Sequence, residues 1–135
     1  MPEASPETLQ FAQSAFQDYA TRLAAGDWQP FLERLSEDFM FWFPAGPFKG
    51  NNVGKERIAA FFASIPKIFP GGVTLTVQQI TRNATTIVFE VQSEGTMGSE
   101  PYQNQAAIAF DIRDNQVCSY REYLGVVFQL EQSGR

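Results

Sequence analysis

From Val73 the hydrophobic period of this chain changes to two and stays there, and that change restricts what the chain can fold into. Before it, apolar residues recur at helical spacing, with Leu9, Ala12, Phe16, Tyr19 or Ala20, and Leu23 forming one stripe. After it, they alternate as in a half-buried strand. Helices first and consecutive strands afterwards is the α+β pattern, in which a curved sheet packs one face against the helices.

The boundaries follow from local signals. Ser5 followed by Pro6 reads as an N-cap and first helical position, opening a helix at about 6–25. Asp27 is placed to cap a second, shorter helix that tolerates Pro30 in its first turn and ends near Glu37. The aromatic run "FMFWF", 39–43, is stopped by Pro44 and reads as a strand leading into the loop "PAGPFKGNNVG". A third helix starts near Lys55, carries Ile58, Phe61, Phe62 and Ile65, and is ended in stages by Pro66 and the "PGG" at 70–72. Strands are predicted at about 73–82, 85–97, 102–113 and 116–128, joined by turns such as "TRNA" and "RDNQ" into an antiparallel meander. The expected fold is therefore a cone: a curved antiparallel sheet wrapped around three N-terminal helices, closed at one end and open at the other as a concave apolar site. At 135 residues the chain reads as a single domain, 1–135, with its core at about 6–128.

Composition narrows the chemistry. The 13 Phe are more aromatic surface than a core of this size needs, so part of it is expected to line a cavity. A net charge of −5, with ten scattered basic residues, argues against a nucleic-acid partner. No apolar run approaches a membrane span, and "MPEASPETLQ" is too acidic and polar for a secretory signal, so the expectation is a cytoplasmic protein with no membrane partner. The absence of His excludes Ser-His and Cys-His nucleophile pairs and most catalytic zinc sites, and acid-base work falls to carboxylates, Tyr or Lys. No Walker loop, dinucleotide fingerprint or EF-hand pattern is present, and no metal or organic cofactor is implied.

The informative residue is Glu122. Strand alternation in "CSYREYLGVVF" puts Cys118, Tyr120, Glu122, Leu124, Val126 and Phe128 on one face, and Ser119, Arg121, Tyr123 and Val127 on the other. A carboxylate on that apolar face has two readings: a desolvated acid-base group with a raised pKa, or an ionised structural group held by donors such as Tyr19, Tyr120 or the Asn104 amide. Cys118, on the same face, reads as an inert core thiol. Trp42 and Phe43 lie on opposite faces of the first strand, and Asn104 shares its face with Tyr102, Ala106, Ile108 and Phe110.

Several stretches also resemble a known family. "DYATRLAAGDWQPFLERLSEDFMFWFPAG", "EVQSEGT" and "PYQNQAAIAFDIRDNQVCSYREYLG" are similar to the SnoaL-like branch of the nuclear transport factor two-like superfamily over about residues 9–128. The resemblance implies the cone fold and a homodimer, and it is compatible with isomerases, cyclases, epoxide hydrolases and non-catalytic domains. Tyr19 stands where ketosteroid isomerases place an oxyanion donor, but Phe43 stands in place of their proton-shuttling Asp before the Pro. Their second donor has only the amides of Asn104 and Gln105 in its place. By resemblance to limonene epoxide hydrolases, Gln92, Glu94 and Glu122 occupy the positions of an Arg-x-Asp pair and a final-strand Asp. The family's terminal R-E-Y-x-D has Gly125 as its last residue here.

The expected function is thus recognition of a small, largely apolar molecule, aromatic or polyketide-, terpenoid- or steroid-like, with cyclase- or isomerase-like acid-base chemistry. Glu122, Tyr19 and Glu94 are the candidate catalytic residues, and Trp42, Phe43, Phe62, Gln92, Asn104 and Tyr120 the candidate ligand contacts. The alternative is a non-catalytic dimeric binding or accessory module. In either case a homodimer is expected through the outer face of the meander, where Arg121, Tyr123 and Val127 lie beside Gln103, Gln105, Ala107 and Ala109.

Overall fold

The computed structural model describes residues 5–25 and 28–125. Asp27, Val126, Val127, Phe128 and the side chain of Leu23 lie outside the described residues. Helix α1 spans Pro6–Ala25. Ser5 caps it, its Oγ accepting from the Thr8 backbone N–H at 3.1 Å, and Pro6 occupies the first turn, where its missing N–H costs no hydrogen bond. Helix α2 is one turn, Gln29–Leu32, and stops well short of Glu37. The cause is β1, Leu35–Phe43, which begins before the aromatic run and buries Leu35, Phe39 and Phe41 along one side.

The segment expected to be a loop carries a 3₁₀ turn, Gly46–Phe48, and a short strand β2, Gly50–Val53. Periodicity could not reveal β2, whose one buried residue is Asn52. Helix α3, Lys55–Ile68, runs past Pro66 before it ends. Strands β3 (Val73–Arg82), β4 (Thr86–Met97), β5 (Glu100–Arg113) and β6 (Gln116–Gly125) form the meander. Two turns are set by their residues. Asp114 and Asn115 take φ of 52° and 59°, as a type I′ hairpin demands. Asn83 Oδ1 accepts from the backbone N–H groups of Thr85 and Thr86 at 3.0 and 2.9 Å.

The sheet is larger than the meander. Its six strands run β2-β1-β6-β5-β4-β3, and β1 joins β6 in parallel, with Phe41 opposite Tyr120. An entirely antiparallel sheet is therefore corrected to a mixed one, because the open edge of β6 is filled by a strand from the other end of the chain. A second correction concerns Cys118. The β5–β6 register pairs Asp111 with Ser119 and Ile112 with Val117, leaving Cys118 as the extra residue of a bulge. Val117 takes the buried place, and Cys118 is half-buried, its Sγ donating to the Asp111 carbonyl at 3.4 Å.

The concave face of the sheet packs on α1, α2 and α3 through an aromatic core. Phe16 stacks on Phe89 at 4.2 Å between ring centres, and Tyr19 meets Phe31, Phe62, Phe110 and Tyr120. Asp18 pairs with Arg34 Nε at 2.7 Å, tying α1 to the turn after α2. Gly95 permits the turn before β3 to close over β4, since a Cβ there would stand 2.9 Å from the Gly72 carbonyl oxygen.

Candidate functional site

The core does not fill the open end of the fold. Between α3, the 3₁₀ turn and strands β5 and β6 lies a largely apolar cavity of about 460 Å³, walled by Phe43, Phe48, Phe61, Ile68, Phe69 and Met97, with Ser64, Tyr102, Gln103 and Asn104 as polar members. Beneath it is a chamber of about 70 Å³ that reaches Tyr19, Ser93 and Glu122. Phe43, Phe61, Ile65, Phe69, Tyr102 and Leu124 line both spaces and form the waist between them. A cavity of the outer size holds a small organic molecule. The inner one has room for a functional group and not for a ring.

The rim is held in place. Asn52 Nδ2 donates to the carbonyls of Phe48 and Gly50 at 2.7 and 3.1 Å, while its Oδ1 accepts from Arg57 Nε at 2.8 Å. Arg57 also donates to the Pro47 carbonyl at 3.1 Å and lies over the Phe48 ring, 4.2 Å from its centre. These contacts pre-shape the wall formed by Gly46–Phe48.

At the bottom, the buried residues Tyr19 and Tyr120 converge on Glu122. Their hydroxyls are 2.5 Å apart. Tyr120 donates to Glu122 Oε1 in a short hydrogen bond, and Tyr19 donates to the same oxygen at 3.3 Å. Glu122 is partly accessible, and the space it opens onto is the inner chamber. Burial pushes its carboxyl above the ordinary range, while the bonds from Tyr120 and Tyr19 pull it the other way without cancelling the rise. Burial first, and the neighbouring Glu122 charge next, hold both phenols well above their usual value, so they stay protonated donors. Desolvation and hydrogen bonding therefore act on this residue together, joining the two readings that the sequence left open.

The other candidate residues separate clearly. Tyr19 and Phe43 lie at the chamber, Asn104 at the outer cavity, and Tyr120 behind Glu122. Gln92 and Glu94 do not reach it. Val91 and Ser93 are the inward residues of β4, so Gln92 and Glu94 face outward; Gln92 Oε1 accepts from Gln78 at 3.3 Å and Glu94 is exposed. The position that reaches the chamber is Ser93, one residue along from either. Trp42 is also on the outer face, stacked on Tyr123 at 5.3 Å. Phe62 is fully buried against Trp28, Phe31 and Tyr19 rather than in the cavity, and Phe61, one helical position earlier, lines it instead. The lining residues Phe61, Phe69 and Leu124 were indistinguishable from core residues in the sequence, whereas Ser93 was visible in the alternation of β4. Among the described residues no cluster of acidic, Cys or His side chains could hold a metal ion, and no helix is long and apolar enough to cross a membrane.

A mixed sheet curved over helices, with an aromatic pocket ending on one carboxyl group, defines a nuclear transport factor two-like fold. The chain belongs to the SnoaL-like domain family, whose sequence model matches residues 16–120. It is similar to a nuclear transport factor two-like protein from Anabaena variabilis, with 44% identity, coverage of 94% of this chain and 96% of that one, and a TM-score of 0.88. More distant likenesses in fold include a putative polyketide cyclase from Xanthomonas campestris, at 23% identity, 86% and 91% coverage and a TM-score of 0.72. A putative SnoaL-like polyketide cyclase from Jannaschia is another, at 17% identity, 92% and 91% coverage and a TM-score of 0.75. Comparison with curated proteins gives no match.

Proposed function

We propose that the protein binds a small, largely apolar ring compound in the outer cavity and presents its polar end to Glu122, which exchanges a proton with it. The observation that carries this reading is the position of Glu122: a carboxyl with a raised pKa at the end of a largely apolar channel, too narrow beyond the waist for anything but a head group. Both phenols address Oε1. This orients the carboxyl and leaves Oε2 as the oxygen for proton exchange. Protonated, the group donates to a carbonyl or leaving oxygen; ionised, it removes a proton from an acidified carbon or hydroxyl. Tyr19, standing where the resemblance puts an oxyanion donor, supplies a hydroxyl at the same chamber.

A thermal-shift screen with polyketide-like aromatics, terpenoids and steroids is the first test, and a stabilising ring compound is the expected result. Turnover of that compound should then fall by about 10²–10⁴-fold in Glu122→Gln, with stability near normal. A stability loss of about 1–3 kcal/mol in that variant would instead mark a structural carboxyl with mismatched partners. The rival reading, a binding module without catalysis, is favoured by one observation: Phe43 projects into the cavity from the position before Pro44 where the isomerases carry their base. Under it, the ligand stabilises wild type and Glu122→Gln alike and is recovered unchanged.

The convex face we assign to a second copy of the chain. It exposes Met40 and the Trp42–Tyr123 stack beside the Arg121–Asp111 ion pair, a mixture of aromatic and paired charge that can meet its own image across a two-fold axis.

A further inference from the structure

The wall of the outer cavity carries a polar defect. Asn104 donates through Nδ2 to the Tyr102 hydroxyl, and its Oδ1 is shielded from solvent with no hydrogen-bond partner among the described residues. Buried amide oxygens are rarely left this way, because desolvating one without a partner costs about 1–3 kcal/mol. Around it the described wall of the cavity is mostly apolar, with Phe43, Phe48, Phe61, Phe69 and Leu124; of its other polar residues, Ser64 donates its hydroxyl to the Phe61 carbonyl, and Gln103, next along β5, is exposed. Rotation of the amide about its soft terminal torsion would only exchange the ends, pairing Oδ1 with Tyr102 and orphaning Nδ2. One end of the amide remains unsatisfied until the side chain, whose Oδ1 is shielded as it stands, turns toward the cavity and meets a partner there.

The strand register fixes where this lies relative to the chamber. Glu122 is opposite Ile108 on β5, and Asn104 is four residues along the same strand, so the two backbone positions are separated by about 14 Å along the strand direction at roughly 3.4 Å per residue. Both side chains belong to the concave face. Leu124 and the waist lie between them.

We infer that the ligand is a hydroxylated ring compound with two polar ends: a head group that passes the waist to Glu122, and a hydroxyl on the body that completes the amide of Asn104. A hydroxyl suits the position because it both donates and accepts, and so satisfies whichever end of the amide faces it. This deepens the proposed function and rests on it.

Biphenyl, its para-hydroxy derivative and its para,para′-dihydroxy derivative form a rod-shaped probe series, with binding measured by calorimetry. The dihydroxy compound should bind wild type about tenfold more tightly than the monohydroxy one. That gain should vanish in Asn104→Leu, and Asn104→Asp, which keeps the shape and an acceptor, should retain it. Circular dichroism and the unfolding midpoint establish that each variant is folded; if Asn104→Leu is not, Asn104→Ser, too short to reach the ligand, takes its place. A second hydroxyl that adds no affinity to wild type, or adds the same affinity without Asn104, overturns the inference while leaving the cavity as a ligand site. If none of the three compounds binds wild type, the inference falls together with the proposed function for ring compounds of this shape.

Discussion

The two faces of one sheet each hold a carboxyl group, the concave one the more deeply enclosed, and treat them in opposite ways. On the convex face, burial pushes the Asp111 carboxyl up, but Arg121, Thr86 and Ser119 more than offset that, and its pKa falls below the ordinary value. Arg121 Nη1 forms a short ion pair with Oδ2, Nη2 donates to Oδ1 at 3.3 Å, and Thr86 Oγ1 donates to Oδ1 at 2.6 Å. On the concave face, Glu122 has two phenols and, among the described residues, no cation, and burial wins. A guanidinium supplies both charge and hydrogen bonds, whereas a phenol supplies only the bond. The convex carboxyl is thereby fixed as an anion, and the concave one is left able to change its protonation state.

The largest effect that sharpens this comparison is in packing. Phe110 is fully buried on the concave face, touching Phe16, Tyr19, Phe31, Phe89 and Tyr120. Phe110→Ala should cost about 3–5 kcal/mol in urea unfolding. Tyr123, 48% exposed on the convex face, should behave differently. Tyr123→Asp should leave the folded protomer within about 1 kcal/mol of wild type and shift sedimentation from dimer towards monomer. A wild type that sediments as a monomer of 15.1 kDa would remove the role assigned to that face.

Next in size is the ion pair. Arg121→Met keeps most of the side-chain bulk but leaves Asp111 half-buried without its cation. Both partners are about a third exposed, so solvent moderates the loss, and about 1–2 kcal/mol is expected at neutral pH. The loss should shrink in acid as Asp111 protonates. An Arg121→Met variant as stable as wild type at pH 7 would mean that the convex carboxyl is not held by charge.

How far these features were legible in the sequence depends on the kind of signal that carried them. The change of period at Val73 separated helices from meander correctly, because amphipathic alternation is local. It placed Glu122 inward because Tyr120 and Leu124 keep phase on either side, downstream of the bulge. Cys118 was misplaced because the bulge inserts one residue, and one residue reverses every face before it. The same parity explains Gln92 and Glu94: aligning them by resemblance put them at the site, whereas the alternation of Ile87, Phe89, Val91 and Ser93 puts the intervening residue there. The parallel pairing of β1 with β6 had no local signature, since it joins residues roughly eighty positions apart in sequence. Nor does any sequence pattern distinguish an aromatic that fills a core, such as Phe62, from one that lines a cavity, such as Phe61.

The smallest expected effect is also the one that separates the two carboxyls most directly, because its sign differs between them. Glu122 has a folded pKa above its unfolded value, so between the two the native state holds a proton that the unfolded chain has released. Its contribution to stability is fully present below the unfolded value of about 4.3 and declines as pH rises through the folded one. Asp111 is the reverse: its contribution is present above the unfolded value and is lost as pH falls through the depressed folded one. Urea midpoints measured across pH for wild type, Glu122→Gln and Asp111→Asn therefore give two difference curves. Relative to Glu122→Gln, wild type should lose stability from about pH 4.3 upward; relative to Asp111→Asn, it should gain stability over the acid range and hold the gain at neutral pH. Carbon-detected NMR of the side-chain carboxyls assigns each curve to its residue. A Glu122 titrating at or below the ordinary glutamate value, with a difference curve rising like that of Asp111, would show the chamber carboxyl to be a fixed anion too, and the contrast on which the acid-base role rests would be gone.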